Sequence, residues 1–319
     1  LEVTSENADE LNDEFSGYFE TSLKAPKDEF KSYVIKKDNE DKVKSLLRLL
    51  DRHKIKYGIA SGDLSTKGFS YKENKMTKLD IKKSDIIISS NQPKSNLVKV
   101  LFEPETSLSD SLTYDITAWS LPYARGLEAY ALKTGIESVP YSKEQLQKTS
   151  ESLSQPYAFI SKWNSTKDIA YLSYLLQKKI KVRFAQKPFS IGGKNFAPGS
   201  LVITRAGNEM HKDFDSILRN SAIMFERELT EVGSGWATSG TDLGSGRVHY
   251  LKAPKIALLT GKETSSYNFG SIWHFFEQQI KYKVNILNTS YFSQVDLHDY
   301  DVLIIPSGYY HELLDKEQL

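Results

Sequence analysis

The chain has no cysteine among its 319 residues. Disulfides, thiolate metal sites and cysteine nucleophiles are therefore excluded from it. No apolar run approaches the ~18 residues of a membrane helix, and no signal-peptide pattern opens the chain. An excess of either charge is missing too: 42 Lys and Arg face 41 Asp and Glu, a formal net charge of +1. A dedicated nucleic-acid binder would carry a basic stripe, so that class is set aside. No serine sits in a G-x-S-x-G elbow, which withdraws support for a serine hydrolase. The start at Leu1 without an initiator Met, and the end at Leu319 inside a helical pattern, read as a processed or truncated product. Zero cysteine fits the cytoplasm and equally a bacterial envelope protein.

What is present is a recurring pattern. Tyr33 to Ala60 reads YVIKKDNEDKVKSLLRLLDRHKIKYGIA: an apolar strand, a polar turn, an amphipathic run and a second strand. Val43, Leu46, Leu47 and Leu50 fall at i, i+3, i+4 and i+7, the spacing of one helix face, with Asp38 as the expected N-cap. The design returns at Tyr157 to Ala185 (YAFISKWNSTKDIAYLSYLLQKKIKVRFA), where Ser165 or Thr166 is the expected cap, and in outline from Lys255 to Leu287. Further apolar runs at 85–90, 201–204 and 301–306 supply additional strands. Continuous apolar strands joined by helices point to sheets buried on both faces, as parallel sheets are.

The expected fold class is therefore α/β, with repeated Rossmann- or flavodoxin-like strand–helix–strand units and mainly parallel sheets. The expected domains are an N-terminal helix over 1–29, a first α/β unit with an aromatic helical insertion over 30–150, and its repeat over 151–232. A Gly-rich linker over 233–253 and a truncated third unit over 254–319 follow.

Candidate chemistry is sparse. His274 and Glu277 have the H-x-x-E spacing of some zinc sites, but no third ligand accompanies them, and an exposed helical histidine is the favoured reading. Gly233, Gly235, Gly240, Gly244 and Gly246 offer backbone N–H groups to an anion, yet precede a strand rather than a helix, which favours a linker. Tyr114, Asp115, Trp119, Tyr123 and Arg125 concentrate aromatic and charged side chains that line a peptide or sugar cleft or pack a helix on a sheet. Trp236 and Asp242 keep a binding role open for the Gly-rich stretch. Pro306-Ser307-Gly308 closes an apolar strand at its carboxyl end, where doubly wound sheets place ligands.

SLTYDITAWSLPYARGLEAY over Ser111–Tyr130, the Tyr33–Ala60 string, KIALLTGKETSSYNFGSIWHFFEQQ and YDVLIIPSG together carry a family resemblance. They resemble the region that follows the catalytic domain in large, Bacteroidetes-type zinc carboxypeptidase-like proteins. The last unit also resembles the opening of a class I glutamine amidotransferase-like domain. The resemblance implies a periplasmic or secreted parent with an upstream peptidase domain as partner, zinc held only in that domain, and no cofactor here. It also implies an accessory, non-catalytic role in substrate access, peptide or glycan binding, or domain packing. The peptidase ligands and the amidotransferase cysteine map onto no residue present. The alternatives are a free-standing two-lobed ligand-binding protein and an incomplete amidotransferase-like enzyme.

Overall fold

The computed structural model describes residues 2–23, 29–105, 119–141, 152–311 and 313. The chain divides into two compact units, Leu1–Gln147 and Lys148–Leu319.

Unit 1 opens with α1 (Glu2–Glu6) and α2 (Ala8–Leu23), an acidic helix on which the rings of Phe15 and Tyr18 both lean on Phe19. The order then runs β1 (Ser32–Ile35), α3 (Glu40–Arg52), β2 (Gly58–Ala60), β3 (Leu64–Ser70), β4 (Lys75–Ile81) and β5 (Ile86–Ser89). It continues with α4 (Ser95–Phe102), α5 (Leu121–Ala124), β6 (Ala129–Leu132) and β7 (Ser138–Pro140). Helix α3 buries Val43, Leu46, Leu47 and Leu50. Its cap is Asn39, whose side chain accepts from the Lys42 N–H, not Asp38 one residue earlier.

The expectation of mainly parallel sheets is overturned. Unit 1 holds one seven-stranded sheet ordered β4-β3-β6-β1-β5-β2-β7, and every pairing in it is antiparallel. The crossover from β1 through α3 to β2 skips one position, and β5 fills the gap running the opposite way. The inner strands β1 and β5 are nevertheless almost wholly apolar and buried because both of their faces are covered. Tyr33, Ile35, Ile86 and Ile88 face α3 and α4, while Val34 and Ile87 meet Leu79 and Ile81 of β4 on the other side. Burial on both faces, not strand direction, produces the continuous apolar run.

Unit 2 begins with the same plan: β8 (Ala158–Ser161), α6 (Thr166–Gln177), β9 (Arg183–Ala185), β10 (Phe189–Ile191), β11 (Lys194–Phe196) and β12 (Leu201–Thr204). Then come α7 (Phe214–Met224), β13 (Leu229–Val232), β14 (Ser239–Gly240) and β15 (Val248–Tyr250). Its five-stranded sheet, β13-β8-β12-β9-β15, matches β6-β1-β5-β2-β7 strand for strand and is antiparallel as well. The register agrees too. Tyr33 lies between Ile88 and Ala131, and Phe159 between Ile203 and Glu231. The hairpins differ: β3–β4 extends the main sheet, whereas β10 and β11 join β14 in a separate three-stranded sheet. That small sheet covers the face carrying Ala158, Ile160 and Val202, and Leu243 of the Gly-rich stretch is wholly buried beneath it.

The last part of unit 2 is parallel. Strands β16 (Ile256–Thr260), β17 (Asn285–Asn288) and β18 (Val302–Ile304) are ordered β17-β16-β18. Helix α8 (Ser266–His274) crosses from β16 to β17 and widens into a π turn over Phe275–Gln279. Gln177 of α6 donates to the Lys281 carbonyl at 2.5 Å, tying this part to the preceding scaffold.

Candidate functional site at the carboxyl edge of the parallel sheet

With β16 in the middle, the chain leaves it to one side for β17 and returns to the other for β18. The carboxyl ends of β16 and β18 therefore flank a topological switch point, where open parallel sheets leave a crevice. Two loops meet there. Gly261–Ser265 follows β16, and Ile305–Tyr310 follows β18. Ser265 N–H donates to Ser307 O and Tyr309 N–H to Glu263 O, both at 2.8 Å, and Thr264 and Gly308 form an antiparallel bridge. The Tyr310 hydroxyl donates to Pro306 O at 2.8 Å and lies 3.0 Å from the Thr264 hydroxyl.

Sequence explains the closeness. A Cβ at Gly308 would run into the Glu263 carbonyl, and one at Gly261, which has φ +142°, into the Thr289 hydroxyl. Only glycine fits such approaches. Behind the crevice, the Thr289 hydroxyl holds the Glu263 carboxylate below its ordinary range, aided by the Glu263 N–H and the Lys262 ammonium against the opposing effect of burial. Glu263 Oε2 is buried and has no hydrogen-bond partner among the described residues. In front of it the Tyr309 ring stands 86% exposed. The first turn of α8 opens onto the same edge, and the first N–H groups of a helix lack intrahelical acceptors. Hydroxyls and an exposed aromatic ring thus lie at the edge where the two loops are hydrogen-bonded to each other.

The residues singled out from sequence fall in both units. Tyr114 and Asp115 lie outside the described residues. Trp119 is 74% exposed, Arg125 donates to the Ser45 hydroxyl at 2.7 Å, and Tyr123 donates to Asn74 Oδ1 while packing on Tyr71. Trp236 is 77% exposed, and Asp242 Oδ1 accepts from the Ala237 N–H within its own loop. Trp119 and Arg125 belong to unit 1, Trp236 and Asp242 to unit 2. His274 ends α8 and Glu277 lies in the π turn, both exposed; among the described residues no three His, Cys, Asp or Glu side chains are placed to share a metal ion.

Pro306, Ser307 and Gly308 do border the crevice. Glu263, Thr289 and Tyr310 were not anticipated. Glu263, just past an apolar strand and a glycine, had a local signal, but its pairing with Thr289, in the turn after β17, had none. No described helix is long and apolar enough to cross a membrane. Comparison of the chain with protein-family models, curated proteins and solved structures finds no match.

Proposed function

We propose that the chain is a non-catalytic accessory region of a larger zinc carboxypeptidase-like protein, binding peptide or glycan beside the peptidase domain. The observation that carries the binding role is the switch-point edge where Gly261–Ser265 and Ile305–Tyr310 are hydrogen-bonded to each other. The accessory role is supported by the extended strings that resemble the region following such a catalytic domain. In this reading the zinc and its ligands belong to the upstream domain, and this chain contributes positioning. The two repeated scaffolds commit buried polar side chains to their own backbones, as Gln92 and Asn208 do, and serve as support.

Calorimetric titration with a panel of peptides and oligosaccharides tests this. Saturable binding of at least one class is expected, weakened three- to tenfold by Tyr309→Ala, the order of one lost aromatic contact (~1 kcal/mol). In the native protein the same substitution is expected to lower kcat/KM on long peptides and spare short ones. Binding indifferent to Tyr309→Ala, or no saturable binding by any member, contradicts the proposal.

A further inference from the structure

The opposite, amino edge of the same parallel sheet holds an open surface cavity of about 440 Å³, its charged members exposed to solvent. That volume lies within the roughly 300–1,000 Å³ of small-molecule sites. Its walls come from the segment entering β16, the turn before β17 and the turn before β18, with Lys255, Lys283, Asn285 and Asp299 as the polar members. The apolar lining comprises Ala253, Pro254, Ile256 and the rings of Tyr282 and Tyr300.

Local bonding fixes this shape. The Tyr282 hydroxyl donates to Pro254 O at 2.6 Å, holding the turn before β17 against the entry to β16. Asp301 Oδ2 accepts from the Lys255 N–H at 2.8 Å, and its Oδ1 pairs with Lys252 Nζ at 3.0 Å. Asp301 is thereby committed to the backbone and to a lysine outside the cavity. Neither the Lys283 ammonium nor the Asp299 carboxylate has a hydrogen-bond or ion-pair partner among the described residues, while the Lys255 ammonium lies within electrostatic reach of Asp301.

We infer that this cavity is a second binding site in unit 2, taking a small monocarboxylate that carries an apolar side chain. Two ammonium groups face the Asp299 carboxylate, and Lys252 offsets the adjacent Asp301, which leaves a single positive charge in excess. That balance matches a monoanion better than a phosphate dianion, which would also meet Asp299. The Tyr, Pro and Ile surfaces receive the apolar part, and Asp299 and Asn285 offer acceptors to an amide N–H beside the carboxylate. An acylated amino acid and the carboxyl end of a peptide share that chemistry. The site shares no lining residue with the carboxyl-edge crevice and stands or falls independently of it.

Calorimetry with N-acetyl-leucine, an N-acetylated tripeptide ending in leucine, leucine amide and inorganic phosphate is the test, with amide shifts of Lys255, Lys283 and Asn285 as the site readout. N-acetyl-leucine is expected to saturate the chain, and leucine amide, lacking the carboxylate, to bind at least tenfold more weakly. Lys255→Gln and Lys283→Gln are each expected to weaken binding about threefold, as exposed charge pairs do, and the double variant about tenfold. Lys187→Gln, on the exposed surface of the repeated scaffold, is expected to leave it unchanged. A tripeptide tighter than N-acetyl-leucine assigns a peptide terminus; equal affinities assign the free acid. Leucine amide or phosphate binding as tightly as N-acetyl-leucine, lysine variants without effect, or no saturation would overturn the inference.

Discussion

Gln92 in unit 1 and Asn208 in unit 2 do one job with side chains of different length. Gln92 Oε1 accepts from the Lys56 N–H, and its Nε2 donates to the carbonyls of Lys56 and Ser89. Asn208 Oδ1 accepts from the Lys181 N–H, and its Nδ2 donates to the carbonyls of Lys181 and Thr204. Gln92 follows its strand residue by three positions and Asn208 by four, so the shorter side chain is matched by a longer loop. Both amides are buried. The clamp ties the segment entering β2 or β9 to the end of the strand beside it.

The second lock has changed its chemistry. In unit 2, Asp168 at the start of α6 accepts from the Asn164 and Ser165 N–H groups and pairs with Arg227 at 2.7 Å, with side chains only 2% and 8% exposed. In unit 1, Lys42 near the start of α3 donates at 2.8 Å to the Gly126 carbonyl in the turn before β6. One scaffold joins helix to strand entry with a buried ion pair, the other with exposed hydrogen bonds from Lys42 and Arg125. A shared fold therefore does not imply shared sensitivity.

The largest expected effect breaks that contrast. Asp168→Ala strands a buried guanidinium and is expected to cost about 3–5 kcal/mol. Lys42→Ala is expected to cost less than about 1 kcal/mol, both by chemical denaturation. Next come the amide clamps: Gln92→Ala and Asn208→Ala each leave buried backbone groups unpaired and are expected to cost about 2 kcal/mol. Exchanging the lengths, Gln92→Asn with Asn208→Gln, is expected to destabilise both units; full stability in that double variant would refute the loop-length compensation.

A smaller effect concerns the turn after the second helix. Gly126 has φ +54° and Glu226 φ +54° at matching places before β6 and β13. Glu226→Gly is expected to raise stability by about 1 kcal/mol and Gly126→Ala to lower it by a similar amount, read from denaturation midpoints.

The smallest is a pH effect confined to unit 2. Burial pushes the Glu231 carboxyl up, but Arg219, bound at 2.8 and 2.9 Å, and the Leu153 N–H outweigh it, so the group lies below its ordinary range. Its contribution is full above the unfolded value of about 4.3 and is lost as pH falls through the lower folded value. Glu231→Gln is expected to flatten the acid limb of the stability curve, whereas a variant curve parallel to the wild type would remove this group from the account.

Much of the local structure was legible. The helix face of Val43, Leu46, Leu47 and Leu50 and the strand Leu201–Thr204 stand where periodicity puts them. Strand direction was not legible, because an apolar run records burial on both faces and says nothing of the neighbour's direction. The hairpin β3–β4 hid for a related reason: Leu64 and Met76 are exposed, so its outer ends show little apolar alternation. At the site, Pro306-Ser307-Gly308 was visible as punctuation after a strand. Trp119 and Trp236 drew notice as aromatic residues, yet they lie in different units. The Glu263–Thr289 contact depends on β16 and β17 being neighbours, which no spacing reveals.

The central claim is that ligand is taken by the parallel part of unit 2, with the repeated scaffolds as support. Backbone amide shifts followed while a peptide with a free carboxyl terminus is added test it most directly. Shifts are expected in 254–265, 282–289 and 299–311. Shifts centred on Trp119 and Arg125, or on Trp236 and Asp242, with those loops silent, would contradict it.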